Sequence, residues 1–128
     1  MEKGSAEGPK INRIRRGELY LVCFDPTVGH EIRKTWPALV IQNDVGNRFS
    51  TVTIVAALTS TVSPVPYPVE VIAEPTKANG LGVSSSIRLD QVRTVDRQRL
   101  IKRLGVLDTA TMHRVDQAIS ISLGLAGV

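Results

Sequence analysis

At 128 residues the chain is the size of one domain, and its 42% apolar content can build a real core, which excludes wholesale disorder. The net charge of +4 comes without a long basic run; it leans mildly toward polyanionic partners, although a merely soluble surface accounts for it equally well. Cys23 is the single cysteine, so no disulfide can form within the chain, and no apolar stretch nears the roughly 18 residues needed to span a bilayer.

Met1 to about Lys10 are polar and bear Gly and Pro, which predicts a flexible tail over residues 1–12 ahead of a single domain over 13–128. No secretory h-region is present, so the cytoplasm is the expected compartment. Glu18 to Phe24 predicts a strand with Tyr20, Val22 and Phe24 on one face and Leu19, Leu21 and Cys23 on the other; both sets are apolar, so both faces should be covered. Cys23 is accordingly expected to be a small buried hydrophobe. Asp25-Pro26 closes this strand, and a polar loop is expected from Thr27 to Trp36. Pro37–Ile41 and the β-branched Thr51–Leu58 read as neighbouring core strands, joined through the turn formers of Asn43–Ser50. A loop with three prolines, Pro64, Pro66 and Pro68, leads to a short strand ending at Ile72. Ala73–Gly82 is turn-rich, and Ser86–Val95 resumes strand character with a break near Asp90-Gln91. Asp96 can cap a short helix over Arg97–Leu104 that Gly105 ends. Finally, Asp108 or Thr109 caps a helix whose apolar stripe is Met112, Val115, Ile119 and Leu123, with Gly124 as its stop. The sum is a mainly β protein with late helices, either a small bent barrel or a compact sheet capped by a C-terminal helix.

Strong enzyme signatures are missing: there is no phosphate-cradling GxxxxGK[ST] and no GxSxG. His30 and His113 lie far apart without a cysteine pair, the carboxylates are scattered, and neither zinc nor a two-metal centre is expected. His113 should be a solvated residue of the last helix. What stands out is the segment Gly29-His30-Glu31-Ile32-Arg33-Lys34-Thr35-Trp36-Pro37, dense in charge and anchored between two buried strands, where functional loops are commonly held. Trp36, the sole tryptophan, either fills a core slot beside Pro37 or offers a stacking platform for a nucleobase.

Arg16-Gly17-Glu18, then Asp25 to Glu31, then Lys34-Thr35-Trp36-Pro37-Ala38-Leu39-Val40-Ile41-Gln42-Asn43-Asp44 resemble the N-terminal signature of the MazF/PemK toxins. Val55-Ala56-Ala57-Leu58-Thr59-Ser60 and Leu89-Asp90-Gln91-Val92-Arg93-Thr94-Val95-Asp96 are similar to two later family blocks in the same order, and Arg99-Leu100 with the closing helix continues the likeness. It runs from about Ile14 to Leu125. The resemblance implies an α+β, SH3-like small β-barrel with a C-terminal helix (CcdB/PemK-like), usually a homodimer. It further implies a cytoplasmic endoribonuclease that cuts single-stranded RNA at a short sequence without metal or cofactor and is inhibited by a cognate antitoxin, with DNA reached only through that antitoxin.

Such cleavage requires an activated, in-line 2′-hydroxyl, a protonated leaving oxygen and compensation of charge on the phosphoryl oxygens. The resemblance implies that Thr59 hydrogen-bonds the scissile phosphate, and that Glu31 and Gln91 contact bases or shape the site. It also implies an arginine where this chain has Trp36, and tryptophan supplies neither a cation nor a guanidinium fork. Arg33 is the first candidate to replace it, followed by Lys34, with His30 able to relay protons. Thr59 and Arg33 are therefore the catalytic candidates, and Glu31, Lys34, Trp36, Gln42, Ser60 and Gln91 the RNA-contacting ones. Two further classes stay open: a catalytically weakened relative that binds RNA or antitoxin, kept open by Trp36, and a gyrase-directed toxin, suggested by the shared barrel alone.

Overall fold

The computed structural model describes residues 13–24 and 35–127. The expected tail over residues 1–12, and the expected site residues His30, Glu31, Arg33 and Lys34, lie outside them. Six strands form one antiparallel sheet: β1 (Glu18–Cys23), β2 (Thr35–Val40), β3 (Val52–Thr59), β4 (Glu70–Ala73), β5 (Ser85–Asp96) and β6 (Leu100–Val106), in the order β4-β5-β3-β2-β1-β6. The hydrogen-bonded order is open, so the expected barrel exists as a folded-over sheet whose edges are β4 and β6. Among the described residues two α-helices accompany the sheet, α1 (Asp44–Phe49) and α2 (Thr109–Ser122).

Both faces of β1 carry core residues, although Leu21 and Cys23 are only half-buried. Leu19 joins Leu39, Ala56, Leu58, Ile87 and Leu89 in a core closed by Val115 and Ala118 of α2. Tyr20, Val22 and Phe24 join Ala38, Val40, Val55, Val95 and Leu100 on the opposite face. Alternation along a strand sends successive side chains to opposite faces, so one apolar strand feeds two cores. Cys23, at the strand end, is half-buried. Asp108 caps α2, its carboxylate accepting from the Thr111 N–H at 3.1 Å and the Thr111 hydroxyl at 2.6 Å. Gly124 follows α2 at φ 77°, a conformation that costs glycine nothing because it has no Cβ.

Three expectations are corrected. The Asn43–Ser50 segment is a six-residue helix, not a bare turn: Asn43 caps it by accepting the Gly46 N–H at 2.7 Å. The capping chemistry that marks a turn marks a helix start equally well. Residues after Asp96 form only a 3-10 turn, Arg97–Arg99, and then β6, because pairing with β1 outweighs local helical preference. Finally, Thr35 and Trp36 belong to β2, not to the preceding loop: they pair with Cys23 and Val22.

Candidate functional site

Near Asp90-Gln91 the expected break in the strand is instead an irregularity of its pairing. Assigned strand runs unbroken from Ser85 to Asp96, but its ladder with β3 does not. Ala56 pairs with Val92 and Leu58 with Ile87, so residues 88–91 of β5 stand opposite Ala57 alone. Surplus residues on one strand bend it and re-aim their side chains, which is what bulges beside functional sites commonly do.

The bulge borders a cleft of about 490 Å³. Trp36 and Pro37 of β2 form one wall, the end of β3 with Thr59 and Ser60 forms the floor, and Arg88 and Gln91 of the bulge, with Val83 and Ser85, close the other side. Four expected site residues from three parts of the sequence, Trp36, Thr59, Ser60 and Gln91, thus meet around one space. Thr59 is half-buried, and its hydroxyl oxygen accepts only the Thr61 N–H, at 3.2 Å, among the described residues. Gln91 and Ser60 are exposed, and their side chains make no hydrogen bond among the described residues.

Trp36 packs against a core ring and stays partly exposed at the cleft. Its ring meets Phe24 at 5.5 Å between centroids with a 37° tilt, while 39% of the residue stays exposed along the cleft. The Arg93 guanidinium lies 5.2 Å from the Phe24 ring centre, so a cation and two rings form a braced stack at this edge.

Gln42 is placed elsewhere. It is 9% exposed, and its amide donates to Asn47 Oδ1 at 3.0 Å and the Val52 carbonyl at 3.1 Å. His113 is exposed on α2, as expected. Sequence reasoning missed Arg88. Placed between the apolar Ile87 and Leu89, it reads as an outward residue of a regular strand; only the bulge brings it to the cleft. Its Nε and Nη2 reach Asp90 Oδ1 and Oδ2 at 3.0 and 2.8 Å, and Nε lies 3.4 Å from Oε2 of the buried Glu70. The Asp90 hydrogen bonds hold its pKa above the ordinary arginine value against the opposing pull of burial.

A larger hollow, about 680 Å³, lies beside α1 and is lined by Arg13, Arg15, Arg48, Val45 and Phe49 with Asp44 and Asn47. Its acid is already committed: Asp44 Oδ1 accepts the Arg16 N–H at 2.7 Å and the Asn47 amide at 3.1 Å, and these bonds, the backbone one foremost, hold its pKa down. Volume therefore favours this hollow, whereas uncommitted hydroxyl and amide groups favour the cleft at Thr59. Chemistry, not size, decides between them. Among the described residues, no three His, Cys, Asp or Glu side chains gather as a metal site would require.

A small β-rich domain thus brings a hydroxyl, an amide and a guanidinium together beside an aromatic ring around one cleft. Comparison with known proteins identifies its kind. Residues 15–123 match the family described as the PemK-like, MazF-like toxin of type II toxin–antitoxin systems, and the chain belongs to that family. It is 43% identical over 112 residues to endoribonuclease EndoA of Bacillus subtilis (strain 168), covering 88% of this chain and 96% of that protein. Its fold matches MazF in a MazE–MazF crystal structure from Deinococcus radiodurans, with TM-score 0.71, 28% identity and coverage of 88% and 97%. A mycobacterial endoribonuclease in complex with its cognate antitoxin has the same fold, with TM-score 0.74 at 23% identity over 90% of this chain and 99% of that one.

Proposed function

We propose that this toxin is a metal-independent endoribonuclease that cleaves single-stranded RNA in the cleft between Trp36, Thr59 and Gln91. The observation that carries the reading is the convergence of those residues, distant in sequence, around one open space. Thr59 donates its hydroxyl to a non-bridging oxygen of the scissile phosphate, Trp36 stacks on a neighbouring base, and Gln91 and Ser60 hydrogen-bond base edges or sugar. The 2′-oxygen attacks phosphorus as its proton passes to water, the bond to the 5′-oxygen breaks, and that oxygen takes a proton from water. The products are a 2′,3′-cyclic phosphate and a 5′-hydroxyl. Flexible single strands suit the cleft because their bases can splay onto an aromatic surface.

The protein acts as a homodimer in the cytoplasm and is held inactive by an antitoxin. A second copy is favoured by Val45 and Phe49 on α1 and Ile101 on β6, which are 71%, 74% and 46% exposed. The EndoA likeness and the antitoxin-bound relatives support the activity and the class of inhibitor. A disordered, acidic and apolar antitoxin segment suits a protein of net charge +4.

The test is incubation of the purified protein with long single-stranded RNA in EDTA. Cleavage at a recurring short sequence, with cyclic-phosphate ends, is expected. RNA binding without cleavage would replace this reading with that of a weakened family member, for which Trp36 is the motive.

A further inference from the structure

Metal-free phosphodiester cleavage builds negative charge on the non-bridging oxygens, and a neutral hydroxyl such as that of Thr59 offsets only part of it. A fixed cation within the same cleft would supply the remainder. Among the described residues that line the cleft, Arg88 is the one cation.

We propose that Arg88 is a catalytic residue of this toxin, its guanidinium engaging the phosphoryl oxygens from the wall opposite Trp36. The proposal rests on the ribonuclease reading above. Three features of the geometry support it. The β5 bulge places Arg88 next to the ladder positions where Leu58 pairs with Ile87 and Thr59 with Ser86, so cation and hydroxyl border the same end of the cleft. The side chain is pre-set: Asp90 grips Nε and Nη2 in a fork, Glu70 lies 3.4 Å from Nε, and only 24% of the side chain is exposed. Third, Nη1 makes no hydrogen bond among the described residues, so one NH2 group is uncommitted while the other edge is braced. A cation fixed before the reaction needs no reorganisation as charge develops.

The competing explanation is structural. Glu70 has only 3% of its side chain exposed and requires a counter-charge; Arg88, paired with it across β4 and β5, supplies one. Such a role would make Arg88 matter for stability and leave the chemical step alone. Two carboxylates against one guanidinium also mean that the resting cleft wall is not strongly positive. Arg88 should therefore contribute more to the transition state, where phosphoryl charge peaks, than to ground-state RNA binding.

These readings separate in single-turnover cleavage of a long single-stranded transcript with protein in excess. Arg88→Gln is made alone and together with Glu70→Gln, so that no buried carboxylate is left unpaired if the single variant fails to fold. Cleavage should fall more than about a hundredfold in the folded variant, while binding of the same sequence carrying 2′-deoxy sugars, which cannot react, weakens less than about tenfold. Arg88→Lys, which restores a point charge without the fork, should recover at least about tenfold over Arg88→Gln. A rate within about threefold of wild type in folded Arg88→Gln or in the double variant would overturn the proposal, as would equal losses for Gln and Lys. Failure of the wild-type protein itself to cleave RNA would remove the ribonuclease reading and this proposal together.

Discussion

The cleft at Thr59 and the polar knot behind α1 are built from the same kinds of side chain, and they use them in opposite ways. In the knot, Asn47 is 1% exposed and fully engaged. Its Oδ1 accepts from the Gln42 amide at 3.0 Å and the Thr53 hydroxyl at 2.6 Å, and its Nδ2 donates to the Gln42 carbonyl at 2.9 Å and to Asp44 at 3.1 Å. Arg97 reaches over the same turn to the Asn47 carbonyl. In the cleft, the Gln91 and Ser60 side chains have no such bonds among the described residues. A buried polar group normally finds its partners. A polar cluster with its capacity spent holds the fold together; one with capacity left over is available to a ligand.

The largest expected effect breaks the knot. Asn47→Leu removes four side-chain hydrogen bonds at once, strands the Thr53 hydroxyl and leaves the Gln42 amide only its bond to the Val52 carbonyl, which should cost about 3 kcal/mol or more in urea unfolding. Cleavage per folded molecule should stay within about threefold of wild type. A loss of stability below about 1 kcal/mol would mean that the knot is incidental, and the contrast with the cleft would go with it.

Thr59→Val is the reciprocal experiment. The shapes match, Thr59 is only half-buried, and stability should hold within about 0.5 kcal/mol. Single-turnover cleavage should drop at least about tenfold, the loss of one good transition-state hydrogen bond. An unchanged rate would return the hydroxyl to its bond with the Thr61 N–H as a strand-end cap.

The contrast also explains what could be read from the sequence. Two apolar faces located β1 and the two-sided core, an apolar run and β-branched residues located β2 and β3, and the spacing of Val115 and Ile119 located α2, since these signals are local. Arg97–Val106 misled because a capping aspartate followed by Arg-Gln-Arg looks helical, whereas its partner, β1, lies some 80 residues earlier in the chain. The lone tryptophan in a polar loop led to Trp36 and family likeness to Thr59, Ser60 and Gln91, and these four do meet. It assigned Gln42 to RNA as well, because a residue whose amide is consumed internally is indistinguishable, as a letter, from one that faces a ligand. Arg88 escaped because its position depends on a bulge, and a bulge is a property of two strands in register rather than of either alone.

A third polar cluster tests whether spent hydrogen bonds always signal structure. Tyr20 is 1% exposed, and its hydroxyl donates to Glu18 Oε1 at 2.9 Å. Glu18 is bound in turn by the Arg15 N–H and by Arg103 Nε, each at 2.9 Å. Burial first, and then the carboxylate beside it, push the Tyr20 pKa well above the ordinary tyrosine value, outweighing the downward pull of Arg103 and Arg97. The linkage has a definite sign. Above about pH 10 the tyrosine of the unfolded chain gives up its proton while the folded one keeps it, so the unfolded state is favoured and stability declines as pH rises. Below that pH both states are protonated, and the Tyr20 contribution is fully present. Tyr20→Phe should cost about 1 kcal/mol at pH 8, the net value of one hydrogen bond. It should also make the alkaline decline shallower, because the group responsible has been removed. Urea unfolding of wild type and Tyr20→Phe at pH 8 and near pH 10.5 measures both quantities, and parallel pH dependences would show that Tyr20 ionises as freely in the fold as out of it.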